Sequence, residues 1–116
     1  MHLASSIAVD DEDSDVNDDL MAITPNGAVV ICPSDRWTLI VEKHPVLRGQ
    51  SRVVADAIEQ PDEIRQSRRS PNVWLCYRRR GSRFMCAVIA PRTGLLLTAY
   101  PTDAIKAGGL VWRRSE

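Results

Sequence analysis

The strongest constraint on the fold is a set of three strand-like segments that begins at Val73 and ends at Tyr100. The first segment alternates apolar and polar residues, and the connections between the segments are Arg80-Gly81-Ser82 and Pro91-Arg92-Thr93-Gly94. A period of two is typical of β-strands, and glycine- and proline-containing connections of this length are typical of turns. Because such short connections join only antiparallel neighbours, the second half of the chain predicts an antiparallel meander.

The same alternation predicts which side chains share a face of the sheet. The middle strand, Phe84–Ala90, is apolar along most of its length, which favours a central position. The first strand places Val73, Leu75 and Tyr77 on one face, and the last places Leu96, Thr98 and Tyr100 on one face.

The first half of the chain has a helical period instead. Trp37, Ile40, Val41 and His44 follow the spacing i, i+3, i+4, i+7, with Ser34 as the predicted N-cap. A second helix is predicted over 51–60, with a buried stripe of Val53, Val54, Ala57 and Ile58.

Two short segments complete the predicted secondary structure. Residues 28–31 follow the turn signal Asn26-Gly27 and predict an edge strand, and residues 62–68 predict a short strand with Ile64 inward. Helices followed by a meander indicate the α+β class, with N-terminal helices packed on one face of an antiparallel sheet.

Charge divides the chain unevenly. Residues 1–20 contain seven acids and no Lys or Arg, so residues 21–116 contain 15 − 7 = 8 acids and all 15 bases. We predict an acidic disordered tail over 1–20 and a single α+β domain over 21–116. A basic body favours a polyanionic partner. The tail is either a solubilising segment or a competitor that covers the basic face.

Several classes of function find no support in the sequence. It contains no P-loop, no dinucleotide-binding glycine pattern and no G-x-S-x-G motif. With only two histidines and scattered acids, neither a histidine metal site nor a carboxylate pair is expected, so we predict no metal and no cofactor. No apolar run approaches a membrane span and no secretory signal is evident. The three cysteines are expected to be reduced, and the predicted location is the cytoplasm.

The remaining polar residues suit metal-free cleavage of RNA. In this reaction the 2′-hydroxyl loses its proton to a base such as imidazole and attacks the neighbouring phosphorus. Arginine or lysine stabilises the charge on the phosphorane oxygens, and tyrosine stacks on a base or donates a proton.

An ordered set of short motifs supports this hypothesis. His44-Pro45-x-Leu47 and Pro61-Asp62-x-Ile64 precede the strand that carries Tyr77-Arg78-Arg79. Leu97-Thr98-Ala99-Tyr100-Pro101-Thr102 and Lys106-x-Gly108-x-Leu110-x-Trp112 follow it. Over about residues 34–112 this order resembles the phage-linked branch of the barnase–EndoU–colicin–RelE ribonuclease fold.

The resemblance implies a four-stranded antiparallel sheet with helices on one side and the active site on its open face. It implies a metal-independent endoribonuclease, often a toxin or a phage-associated effector, that forms a 2′,3′-cyclic phosphate. The catalytic residues it implies are His44, Arg68, Thr98, Tyr100 and Lys106. The RNA-binding residues expected beside them are Tyr77, Arg69, Arg78, Arg79, Arg80 and Arg83.

Each of these residues also has an ordinary structural explanation. His44 can cap or pack at a helix end, Thr98 suits any strand, and Tyr77 can belong to the core. Two other functions therefore stay open: a module that binds RNA without cleaving it, and a toxin–antitoxin or phage protein-interaction domain whose partner is an acidic antitoxin or immunity-type protein.

Overall fold

The computed structural model describes residues 19–106 and 108–115. In this part of the chain most regular structure is strand, with two α-helices and one short 3₁₀ turn. The strands are β1 (Leu20–Ile23), β2 (Val29–Cys32), β3 (Glu63–Gln66), β4 (Trp74–Arg80), β5 (Arg83–Ala90), β6 (Leu95–Thr102) and β7 (Leu110–Arg113). The helices are α1 (Ser34–Lys43) and α2 (Ser51–Glu59), and the 3₁₀ turn is Pro45–Leu47.

All seven strands form one curled sheet in the order β1-β2-β6-β5-β4-β3-β7. Every pairing is antiparallel except β2 with β6, which is parallel, so the sheet is mixed. The predicted fold class, N-terminal helices on a four-stranded antiparallel sheet, is therefore wrong. The β4–β5–β6 meander at its centre has the predicted order and direction.

The additional strands account for this difference. β1 is apolar on both faces, with Leu20 and Ala22 buried and Met21 and Ile23 exposed, so it has no alternation by which to recognise it. Its pairing with β2 makes β2 an interior strand, not the predicted edge. β7 follows two glycines and becomes a strand by pairing with β3, where Trp112 lies opposite Ile64.

The two helices form where the periodicity predicts them, with one correction at the first N-terminus. α1 buries Trp37, Ile40 and Val41. Its N-cap is Pro33 rather than Ser34, and the Ser34 backbone N–H donates to Oδ1 of Asp19 at 3.0 Å. A carboxylate from outside the helix thus satisfies one of the free donors of the first turn.

The core lies between α2 and one face of the sheet. α2 packs against β1, β4 and β5 through a buried stripe that includes Val54, Ala57 and Ile58. We call the opposing side of the sheet the core face, and its buried side chains are Ile64, Cys76, Met85, Ala87, Ile89, Leu96 and Ala99. None of the helices in the described ranges is long and apolar enough to cross a membrane.

An irregularity in β6 changes one predicted face. Val88 pairs with Thr98, but Ile89 pairs with Leu96, so Leu97 is an extra residue at this point. A bulge of this kind reverses the alternation on one side of it. Leu96 therefore points into the core, and the prediction that it shares a face with Thr98 and Tyr100 is wrong.

Candidate active site

The opposite side of the central strands, which we call the site face, carries polar and aromatic residues. Tyr77 on β4 pairs with Cys86 on β5, and Cys86 pairs with Tyr100 on β6. Since paired residues point to the same side, these three side chains form a row across the sheet. Thr98 lies two residues before Tyr100 and shares this face.

Hydrogen bonds hold the row together. The hydroxyls of Tyr77 and Tyr100 both donate to the Cys86 sulfur, and the Lys106 backbone N–H donates to the Tyr77 hydroxyl at 3.2 Å. Tyr77 and Cys86 are both fully buried. Since the Tyr77 ring is covered, it is not accessible for stacking on an RNA base, and its position supports a structural role.

Burial also sets the protonation state of the row. Desolvation raises the pKa of Cys86 to about 11 and, together with the nearby Cys86, raises the pKa of Tyr77 to about 12. Desolvation raises the pKa of the Tyr100 hydroxyl as well. All three groups therefore keep their protons at neutral pH, and Tyr100 is a hydrogen-bond donor rather than a base.

His44 reaches this row from the end of α1. The parallel pairing of Ile31 with Leu95 sends the chain after β2 along the direction of β6. α1 follows β2 after one residue, and the ring centroid of its C-cap residue His44 lies 6.1 Å from that of Tyr100. The fold thus brings His44 next to Tyr100, and Thr98 lies two residues before Tyr100 on the same face.

A cleft of about 480 Å³ opens between α1 and β6, and of these three residues Thr98 lines it. Thr98 and Leu97 line it from β6. From α1 it is lined by Arg36, Leu39, Ile40, Glu42 and Lys43. We call it the α1–β6 cleft. Its volume lies within the range that is typical of small-ligand sites.

The two cations of this cleft, Arg36 and Lys43, were not among the predicted site residues. Arg36 and Lys43 are seven residues apart on α1, so they lie on one side of the helix. The sequence signal for these cations was a second helical stripe with the spacing i, i+3, i+4, i+7, formed by Arg36, Leu39, Ile40 and Lys43. This stripe was overlooked because Ile40 also belongs to the buried stripe that predicted the helix.

Lys106 and Arg68 lie on the other side of the row. The connection from β6 to β7 crosses the site face, where Lys106 meets Tyr77 and the Gly108 carbonyl accepts from Nη1 of Arg65 at 2.8 Å. The Arg68 side chain is next to Gly108. Arg68 and Arg69 follow β3, which is three strands from β6 in the sheet order.

The arginines of the β4–β5 hairpin divide between the two faces. Arg79 lies on the site face, with its guanidinium carbon 4.9 Å from the centre of the Phe84 ring. Arg78 lies on the other face and donates to the Gln60 carbonyl at 2.7 Å, at the end of α2. Arg83 pairs with Asp103 at 2.7 Å, and Arg80 is exposed at the hairpin. The six predicted RNA-binding residues therefore do not form one surface.

Within residues 19–106 and 108–115 no three His, Cys, Asp or Glu side chains are grouped as metal ligands. Comparison of the whole chain with protein-family models, with curated proteins and with solved structures finds no match.

Proposed function

We propose that this protein is a metal-independent endoribonuclease that cleaves RNA through attack of the 2′-hydroxyl, and that it acts as a toxin or phage-associated effector. The observation that carries the proposal is the contact of His44 with Tyr100, beside Thr98 and the α1–β6 cleft. An imidazole can accept a proton near neutral pH, and this one adjoins a cleft with two cations. The ordered His44-Pro45 and Thr98-Ala99-Tyr100-Pro101 motifs support the same reaction class.

Each residue has a defined part in the proposed reaction. The His44 imidazole takes the proton of the 2′-hydroxyl, the 2′-oxygen bonds to phosphorus, and the bond from phosphorus to the 5′-oxygen breaks. The Thr98 hydroxyl orients the phosphate. With substrate bound, the protonated Tyr100 hydroxyl turns from the Cys86 sulfur and donates its hydrogen bond to a phosphate oxygen. Water supplies the proton that the leaving 5′-oxygen takes up, and the His44 imidazolium returns its proton to solvent. The products are a 2′,3′-cyclic phosphate and a free 5′-hydroxyl.

Cleavage of a fluorophore–quencher RNA in the presence of EDTA tests the proposal. We expect cleavage with a 2′,3′-cyclic phosphate end, and none of a DNA strand of the same sequence, which lacks the attacking group. His44→Ala and Thr98→Ala should be slow, whereas His2→Ala, at the other histidine, should cleave like the parent. Intact RNA under these conditions, or equal rates for His44→Ala and the parent, would overturn it.

The same assay distinguishes a ribonuclease from a module that binds RNA without cleaving it. A module that only binds RNA would show salt-dependent affinity, because phosphate contacts release counterions, but no product. Fluorescence anisotropy with the same RNA in 50 and 200 mM salt measures this directly. Binding without product would assign the protein to that class.

A further inference from the structure

The α1–β6 cleft has three features that the proposed catalytic residues do not use. Leu39 is an aliphatic side chain with 64% of its surface exposed at the rim. Arg36 and Lys43 line the same cleft, and neither side chain has a hydrogen-bond or ion-pair partner within residues 19–106 and 108–115. An exposed leucine between two unpartnered cations has no evident role in stability.

The two cations occupy different positions relative to the catalytic residues. Lys43 directly precedes His44, so it lies at the end of α1 that carries the imidazole. Arg36 lies two helical turns earlier, about 10 Å along the axis. Leu39 is one turn from each of them, with Leu97 of β6 on the opposite wall.

One acidic residue shares this cleft with the two cations. Glu42, next to Lys43 in the helix, also lines it. The order along the cleft is therefore cation, apolar wall, cation, with one carboxylate beside the second cation.

This order matches the chemistry of one nucleotide in a single strand. A base has two apolar faces and needs an apolar wall, while the phosphates on its two sides need cations. We propose that the α1–β6 cleft binds one unstacked nucleotide next to the scissile phosphate, with Lys43 on that phosphate, Arg36 on the next one and the base against Leu39 and Leu97. This inference rests on the proposed ribonuclease function and assigns its substrate to single-stranded RNA.

The proposal excludes duplex RNA as a substrate. In a duplex the bases are stacked and paired, and proteins bind mostly its backbone and minor groove. A cleft that holds one base between two walls can therefore bind only a nucleotide of a single-stranded segment, a loop or an end. The same sequence annealed to its complement should be cut at least about tenfold more slowly.

Leu39→Glu and Val46→Glu form a matched pair that tests the cleft. Both parent side chains are aliphatic and 64% exposed, but Val46 lies on the 3₁₀ turn and not in the cleft. We expect Leu39→Glu to raise KM about tenfold with kcat within about twofold of the parent, because a carboxylate at the wall repels phosphate and removes apolar contact. Val46→Glu should change neither constant. Equal KM values for the two variants would overturn the proposal.

Binding of an RNA that cannot be cleaved tests the nucleotide site independently of the proposed ribonuclease activity. The probe is a fluorescent 12-nucleotide RNA whose 2′-hydroxyls are replaced by hydrogen at the cleavable positions. Its Kd should rise about three- to tenfold in Arg36→Gln and Lys43→Gln, and stay unchanged in Arg92→Gln, at an exposed arginine of the β5–β6 turn. If the parent binds this probe through the cleft but cleaves no RNA, the ribonuclease proposal fails and the subsite stands. If the parent cleaves RNA but all three variants bind alike, only the subsite fails.

Discussion

Alternate residues of the same strands build two different regions in this protein, the core face and the site face. On β5 the core face carries Ala87 and Ile89, whereas the site face carries Cys86. All three side chains are fully buried, but only Cys86 accepts hydrogen bonds there, from Tyr77 and Tyr100. Burial alone therefore does not identify the core. The covered polar row belongs to the site, and the two faces should respond differently to substitution.

The largest expected effect is on the site face. His44→Ala should lower the rate of RNA cleavage about 10²- to 10⁴-fold, which is the usual contribution of general acid–base catalysis. The free energy of unfolding should change by less than about 1 kcal/mol, since His44 caps a helix end and is only partly buried. Single-turnover cleavage and urea denaturation measure the two quantities. A large loss of stability would mean that His44 belongs to the core.

On the core face, substitution should act mainly on the free energy of unfolding. Ile89→Ala removes a fully buried side chain beneath α2 and should lower the free energy of unfolding by about 2–5 kcal/mol. The neighbouring Val88→Ala, on the site face and half-buried, should cost about 1 kcal/mol. Urea denaturation of both variants checks this. A cost for Val88→Ala equal to that for Ile89→Ala would erase the distinction between the faces.

Alkaline pH should destabilise the protein through the site face. Burial raises the pKa of Cys86 from an ordinary value near 9.0 to about 11. Between these values the unfolded chain loses the proton and the folded chain keeps it, so the free energy of unfolding falls as pH rises, by up to about 1.4 kcal/mol per pH unit for one thiol. Below pH 9 this contribution is fully present.

Cys86→Ala removes that contribution, and it also lowers the pKa values of Tyr77 and Tyr100, which Cys86 helps to raise. Cys32 and Cys76 also have raised pKa values because of burial, and they act alike in the parent and the variant. The slope of unfolding free energy between about pH 9 and pH 11 should therefore be shallower in Cys86→Ala by about one proton. Urea midpoints measured across this range give both slopes. Parallel slopes would contradict the assignment of a protonated, desolvated thiol to the row.

The smallest expected effects are on RNA binding and stability in variants of two adjacent arginines, Arg78 and Arg79. Arg79 lies on the site face and Arg78 on the other, so Arg79→Gln should weaken RNA binding by less than about fivefold and Arg78→Gln should leave it unchanged. Arg78→Gln should instead lower stability slightly, because it loses the bond to the Gln60 carbonyl. Anisotropy titrations in low salt resolve the difference. Equal weakening by both variants would indicate that RNA contacts the hairpin from both sides.

Much of the local structure follows from the sequence because its causes are local. The helical stripe of Trp37, Ile40 and Val41 and the alternation of β4–β6 each depend on residues a few positions apart. β1 and β7 have no such pattern, since β1 is apolar on both faces and β7 forms against β3, which lies more than forty residues earlier in the chain. For this reason the fold class was predicted incorrectly although the central meander was predicted correctly.

The candidate site divides in the same way. The sequence showed the residue types of the site, which are an imidazole, a threonine and tyrosines among many arginines. It also showed that Thr98 and Tyr100 share one face of a strand, because they are two residues apart. Tertiary structure alone decided that His44 meets Tyr100, that Arg68 lies next to Gly108, and that Arg36 and Lys43 line the cleft. The physical reason is the parallel β2–β6 pairing, which places β2 and the helix that follows it next to β6 and joins residues more than fifty positions apart. A contact of that range depends on how the whole sheet closes, and no local periodicity encodes it.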